Sequence, residues 1–359
     1  MFFLHGTEIE QLTKIKKAIF NNMPFDDLEI ICKEVSISLN DKGFAYTYAA
    51  CLLASEDKIS DAKKMFAING EDTFCKIMYD YLEETNSFDL ADQVFKSADP
   101  YNIYTQTDFF KKHQGGALKY IRKFAQESAP PKSVSPVTIL DIGVGNGMFI
   151  TKIVNEIIPL YDIKNIRLII IDQSEDMLRM AKEYCEENIN ITVEVISICC
   201  KIQEITKEQI EIIQNTKPIW FINTGLSIHY MPKEKKIPML KQLKAFSPKL
   251  VLTEVNWNHD LPESNSPELF YSVAKSYGVF SESILHLNVS EERRKLCLNN
   301  FPIAEAINII KQNRDNRIDY HTTIEEWRKI AAAAGFKTSE AEATYTYDNK
   351  PFAFVMEMY

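Results

Sequence analysis

From Ile9 onward, apolar residues recur at helical spacing: Ile9, Leu12, Ile15 and Ile19, then Leu28, Ile31 and Val35, then Phe74, Ile77, Met78 and Tyr81. Strand signals are nearly absent up to about residue 127, so residues 1–127 read as an all-helical N-terminal cap domain. Leu53, Ile59, Ala62, Met65 and Phe66 match Leu82, Phe88, Ala91, Val94 and Phe95 at an offset of 29. Two such hairpins are too few for a solenoid, which takes three or more repeats. A helical layer packed on the next domain is the expected form. Residues 128–136 then hold three prolines and three serines, a composition that excludes a helix interior and marks a linker.

Beyond the linker the pattern changes period. Short apolar, β-branched runs at Val137–Asp141, Leu168–Asp172, Ile191–Ile196, Ile219–Asn223 and Leu250–Glu254 alternate with helical stretches. Strands and helices in this alternation predict βαβ units, and the unalternated apolar runs predict a parallel sheet covered on both faces. Residues 137–359 therefore read as an α/β domain around a mostly parallel seven-stranded sheet. A helical insertion at about 258–320, including Pro267–Tyr277 and Glu292–Lys311, interrupts it. Thr323–Ala334 reads as a helix stopped by Gly335, and Thr344–Tyr347 with Phe352–Met356 as an antiparallel edge hairpin around Asp348 and Asn349.

The chemistry concentrates where the first strand ends. Thr138-Ile-Leu-Asp-Ile-Gly-Val-Gly-Asn-Gly147 runs an apolar strand into glycines 143, 145 and 147, with an amphipathic helix following. Glycines there allow a tight turn and close approach of the backbone to a ligand. Asp141, just ahead of the loop, repels a pyrophosphate and favours a cation. S-adenosylmethionine carries a sulfonium and an ammonium and no phosphate, and the Gly-x-Gly-x-Gly spacing differs from the dinucleotide fingerprint. About thirty residues on, Asp172 ends the second strand, where a carboxylate can accept both hydroxyls of a ribose, and Ser174 is placed to cap the next helix.

These residues, across about 137–255, resemble class I S-adenosylmethionine-dependent methyltransferases. The resemblance implies a Rossmann-like methyltransferase domain in which Gly143, Gly145 and Gly147 line the methionine moiety, Asp141 faces its amino group and Asp172 holds the ribose. Gln173 and Asn223 complete the expected cofactor contacts. An acid usually follows the third strand in that family. Here the segment is Ser197-Ile-Cys-Cys-Lys-Ile-Gln203, so adenine contacts fall to backbone, Cys199 or Gln203.

The C-terminal half resembles the GRAS family. The matching stretches are Ser247–His259, Phe270–Phe280, Glu292-Arg293, Ile309–Arg317 and Glu326–Phe336, in order over about 215–340. Plant members have largely lost the intact glycine loop and end in a tryptophan-containing strand. This chain keeps Gly143, Gly145 and Gly147 and has Phe352 and Phe354 in its last strand. The resemblance then implies a bacterial-type small-molecule methylase. The alternative it leaves open is a non-catalytic GRAS-like regulator or protein-interaction module.

Methyl transfer needs an aligned nucleophile and, for a hydroxyl acceptor, a base. The segments beyond the fourth and fifth strands supply His229 and Glu254 as candidate catalytic residues. Asn256, Trp257, His259 and Tyr271 are candidates for holding the substrate. An unperturbed histidine pKa near ~6.5 suits proton removal at neutral pH, and a purely structural histidine at 229 remains the other reading. Trp257, Phe270, Tyr271 and Tyr277 offer an aromatic acceptor pocket or simply a core stripe. No His-x-x-x-His or similar spacing points to a metal.

Composition narrows the field of partners. The net charge of −9 opposes the counterion-release term of nucleic-acid binding, and the Asn/Asp-Pro-Pro-Tyr/Phe amine-methylase signature is replaced by Asn223-Thr-Gly-Leu226. Seven cysteines without a Cys-x-x-Cys pair fit a reducing compartment, and no apolar run approaches the ~18 residues of a membrane span. The opening Met-Phe-Phe-Leu cluster is too short for a secretory signal. A cytoplasmic enzyme with a small-molecule acceptor is expected, without nucleic acid or membrane, its helical regions offering a homodimer surface.

Overall fold

The computed structural model describes residues 3–89, 99–131, 135–261 and 263–359. The chain begins with α1 (Gly6–Phe20), α2 (Phe25–Ile37), α3 (Phe44–Ser55), α4 (Ile59–Ile68), α5 (Thr73–Thr85), α6 (Asp99–Tyr104) and α7 (Asp108–Glu127). It continues with β1 (Val137–Ile142), α8 (Met148–Tyr161), β2 (Asn165–Asp172), α9 (Glu175–Asn188), β3 (Thr192–Cys199) and α10 (Lys207–Gln214). Then come β4 (Ile219–Gly225), α11 (Lys233–Phe246), β5 (Leu250–Val255), α12 (Pro267–Leu285), α13 (Glu291–Asn300) and α14 (Pro302–Lys311). The chain closes with α15 (Ile324–Ala333), β6 (Glu342–Tyr347) and β7 (Lys350–Met358).

Two compact units result, Met1–Lys111 with Trp257–Tyr320, and Lys112–Asn256 with His321–Tyr359. The first is helical. Its α3 is buried nearly all round, from Phe44 to Ala54, which marks a central helix rather than a surface one. In α12, Leu269, Phe270, Val273, Tyr277 and Phe280 are buried, and Lys275 bridges Asp41 at 2.6 Å and Asp72 at 3.3 Å. The helical stretch expected over Glu292–Lys311 is broken at Phe301, because Pro302 has no N–H to continue the ladder and instead opens α14. Of the repeat inferred from sequence, Ala91, Val94 and Phe95 lie outside the described residues.

The second unit is a seven-stranded sheet in the order β3-β2-β1-β4-β5-β7-β6, parallel except for β7 and β6. Alternation sends Ile139, Leu168, Ile170, Phe221 and Val251 to one face, under α7, α8 and α9. Leu140, Ile142, Ile169, Ile222, Leu250 and Leu252 go to the other, under α11 and α15. This is the expected Rossmann-like α/β architecture, with helices on both faces. The terminal hairpin turns at Asp348 and Asn349, at φ 51° and 57°, the pair of positive values that a type I′ turn demands. Its β7 inserts beside β5, leaving β6 at the edge. Gly335, at φ 87°, stops α15 where a Cβ would strain the backbone. Among the described residues no helix is long and apolar enough to cross a membrane.

Candidate active site

The strand order reverses direction between β1 and β4, and in open α/β sheets ligands collect in the crevice at such a switch point. Asp141 and Asn223 face each other across it in register. Asn223 Nδ2 donates to Asp141 Oδ1 at 2.6 Å, with the two residues 1% and 4% exposed. Burial pushes the Asp141 carboxyl up to about 7; the Asn223 hydrogen bond works against this and the nearby Asp172 adds to it. Asn223 Oδ1 is buried without a hydrogen-bond partner among the described residues. A buried acceptor of this kind costs free energy unless a donor arrives.

Next along the edge, the glycine loop folds over β2. Gly143 and Val144 donate to Ile171 O at 2.7 and 3.3 Å, and Gly145 N donates to Asp172 Oδ2 at 3.1 Å. The other oxygen of Asp172 accepts from Ser174 N at 3.0 Å, while Ser174 itself caps α9 through Met177 N. Burial raises the Asp172 carboxyl, and the N–H groups of Ser174, Gly145 and Gln173 pull it back down. All three glycines have positive φ, from 57° to 79°. Two of them also have packing reasons to be glycine. A Cβ on Gly143 would strike the Ser227 side chain, and one on Gly147 would come within 2.7 Å of Ala181 Cα. Cys199, at the end of β3, is exposed, with Sγ 3.6 Å from Gln173 O.

Residues 226–232, after β4, link this edge to the end of β5. Leu226 takes φ 52°, a conformation costing a residue with a side chain about 1–3 kcal/mol, and its N–H is held by Thr253 O at 2.9 Å. Ser227 Oγ donates to Ile142 O at 2.8 Å, and Ile228 N donates to Glu254 Oε1 at 3.4 Å. His229 Nδ1 then lies 3.2 Å from Glu254 Oε2, both side chains buried. The two residues proposed for catalysis are thus brought together. Glu254 shares its face of the sheet with Leu250 and Leu252, whereas Asp141 shares the opposite face with Ile139.

One neighbour escaped the sequence reading. The ring of His321 packs on that of His229 with centroids 4.1 Å apart. It precedes the Thr323 cap of α15, and nothing in its local spacing signals a site. The candidate substrate residues divide between the two units. Asn256 is committed to backbone, donating to Pro351 O at 2.8 Å and accepting from Ile324 N at 2.9 Å, so it ties β5 to β7 and α15. Trp257, His259 and Tyr271 belong to the helical unit. There Trp257 and His259 surround Tyr277, His259 Nε2 meets Ser276 Oγ at 3.0 Å, and Tyr271 packs edge-on against Phe44.

Two buried groups in the sheet unit give stability opposite slopes with pH. His113 on α7, with Nδ1 2.6 Å from Thr344 Oγ1, is pushed down to about 4 by burial. Between pH 6.5 and 4 the unfolded chain takes up a proton there that the folded chain refuses. Stability therefore falls on acidification, by about 3 kcal/mol at about 1.4 kcal/mol per pH unit. Asp141 has its folded pKa raised from 3.8, so its contribution is full below that value and is lost as pH rises towards 7, a span of about 4 kcal/mol. Asp141→Asn removes only the second slope. Urea denaturation is expected to show the variant losing about 3 kcal/mol more than the wild type between pH 6.5 and 4.

No curated protein matches the chain in sequence. Among solved structures, SCL7 from Oryza sativa aligns over 99% of this chain and 100% of its own at 11% identity, with a TM-score of 0.65, a likeness of fold. Magnesium protoporphyrin IX methyltransferase from Synechocystis PCC 6803, with bound S-adenosylhomocysteine, aligns over 74% of this chain and 95% of its own at 11% identity and TM-score 0.43. The plantazolicin methyltransferase BpumL aligns over 78% and 96% at 16% identity and TM-score 0.42. A sequence model of the GRAS domain family matches residues 133–351, from the end of the linker to the start of the last strand. With more than half of its length covered by that match, the chain belongs to the GRAS domain family.

Proposed function

We propose that the protein binds S-adenosylmethionine at the β1–β4 switch point and transfers its methyl group to an oxygen or nitrogen of a small-molecule acceptor. The observation that carries this reading is the buried Asp141–Asn223 pair, with its unpartnered Asn223 Oδ1, beside a second acid, Asp172, across the glycine loop. Two reluctant carboxylates and a spare acceptor suit a cation bearing N–H and O–H donors, and repel a phosphate.

On this reading Asp141 and Asn223 hold the ammonium end, and Asp172, set by Gly145 and Ser174, holds the ribose hydroxyls. Gln173 and Cys199 border the adenine side. The cofactor would supply an electrophilic methyl group on a sulfonium. The chain supplies the rest. Glu254 orients the His229 ring through Nδ1, and the imidazole acts as the base that takes the acceptor's proton.

Labelled methyl transfer from S-adenosylmethionine to a panel of small phenols, carboxylic acids and amines tests the proposal. Transfer to at least one class is expected, and binding of the cofactor with no transfer to any would remove the catalytic half of the reading. That second outcome favours the other reading that GRAS membership supports, an interaction module retaining the fold.

A further inference from the structure

We propose that His229, Glu254 and His321 form a binding site for one divalent transition-metal ion. Each residue offers one ligand atom, and these atoms all lie within 4.8 Å of one another. The three come from separate segments, the loop after β4, the end of β5 and the approach to α15, which is why spacing along the chain hides the set. All three are buried, at 4%, 1% and 4% exposure. Metal–nitrogen and metal–oxygen bonds of about 2.1 Å place tetrahedral ligands roughly 3.5 Å apart. The cluster therefore closes on an ion with small side-chain rotations.

The ligands are also held from behind, as working metal sites require. Lys236 Nζ donates to Thr322 Oγ1 at 2.6 Å and lies over the Trp327 ring at 4.9 Å, which anchors the side chain next to His321. Asn256 holds the same stretch two residues further on, accepting from Ile324 N at 2.9 Å. Glu254 is steadied by Ile228 N at 3.4 Å. Two imidazoles and one carboxylate form a borderline set that suits zinc, manganese or iron(II) and leaves coordination positions open for an oxygen ligand; Mg²⁺ prefers carboxylates and water.

Binding of the ion does not depend on the cofactor reading; only its role does. Beside a methyl donor, a bound ion would coordinate an acceptor oxygen and lower its pKa, the work assigned above to His229 in the ion-free protein. This points to acceptors that chelate, such as catechols or α-hydroxy acids.

Thiols are the competing ligands, above all the exposed Cys199 and its neighbour Cys200, so the test uses a Cys199→Ser, Cys200→Ser background. Equilibrium dialysis of that protein against Zn²⁺ and Mn²⁺ is expected to give one ion per chain, and Mg²⁺ none. His321→Ala and the more conservative His321→Gln are expected to weaken Zn²⁺ binding at least tenfold. The absorption spectrum of the Co²⁺-loaded protein should show nitrogen and oxygen ligation without thiolate charge transfer. No ion bound by the folded protein, thiolate bands, or retention of the ion by both folded His321 variants would overturn the proposal. Titration of the wild-type protein, with both cysteines intact, with S-adenosylhomocysteine reads the cofactor site separately, so either claim can fail alone.

Discussion

Asp172→Ala is expected to weaken the binding of S-adenosylhomocysteine by about 100-fold or more. A carboxylate accepting two ribose hydroxyls makes two charge-assisted hydrogen bonds, each worth about 1.5–3 kcal/mol, and 1.4 kcal/mol is tenfold in affinity. The same side chain also receives Gly145 N and Ser174 N, so its removal frees the glycine loop as well as the ligand. Asp172→Asn separates the two effects. The amide keeps one acceptor oxygen, so part of the loop's support survives, and an intermediate loss is expected. Fluorescence or calorimetric titration of the three proteins, each checked for an unchanged thermal transition, gives the comparison. Equal affinity in all three would place the ribose elsewhere.

His229→Ala is expected to lower the turnover of methyl transfer by 10²–10⁴, the usual contribution of a positioned base, with cofactor affinity unchanged. A purely structural role would instead show as lost stability with turnover per folded molecule preserved. Glu254→Gln sharpens the test. A glutamine can turn its NH₂ towards His229 Nδ1, which replaces the carboxylate's hold on the ring and favours the other tautomer. A loss of at least tenfold in turnover, with little change in stability, is the expected signature of an orienting carboxylate.

Much of the sheet unit was legible because it is written in local signals. Apolar β-branched runs gave five parallel strands, the Asp348-Asn349 turn gave the hairpin, and Thr323 and Gly335 bounded α15. The residues around the glycine loop were readable for the same reason, since Asp141, the glycines and Asp172 each sit where one strand ends. Their division of labour was not. That Gly143 makes room for Ser227 and Gly147 for Ala181 depends on elements distant in sequence, and no spacing rule encodes it. His321 was invisible for a related reason, as it reaches His229 only through the packing of α15 against α11. Asn256 shows the converse. A polar residue at a strand end looked like a ligand contact, yet its amide satisfies two backbone groups that the junction of β5, β7 and α15 would otherwise leave bare.

The most direct test of the central claim is calorimetric titration of the purified full chain with S-adenosylhomocysteine at pH 8 and at pH 6. Asp141, held near 7 by burial, must be ionised to meet the ligand's ammonium, and its ionised fraction differs about tenfold between those conditions. Single-site binding in the micromolar range is expected at pH 8, about tenfold weaker at pH 6, with the difference abolished in Asp141→Asn. A folded wild-type protein that gives no binding at millimolar ligand at either pH would contradict that claim.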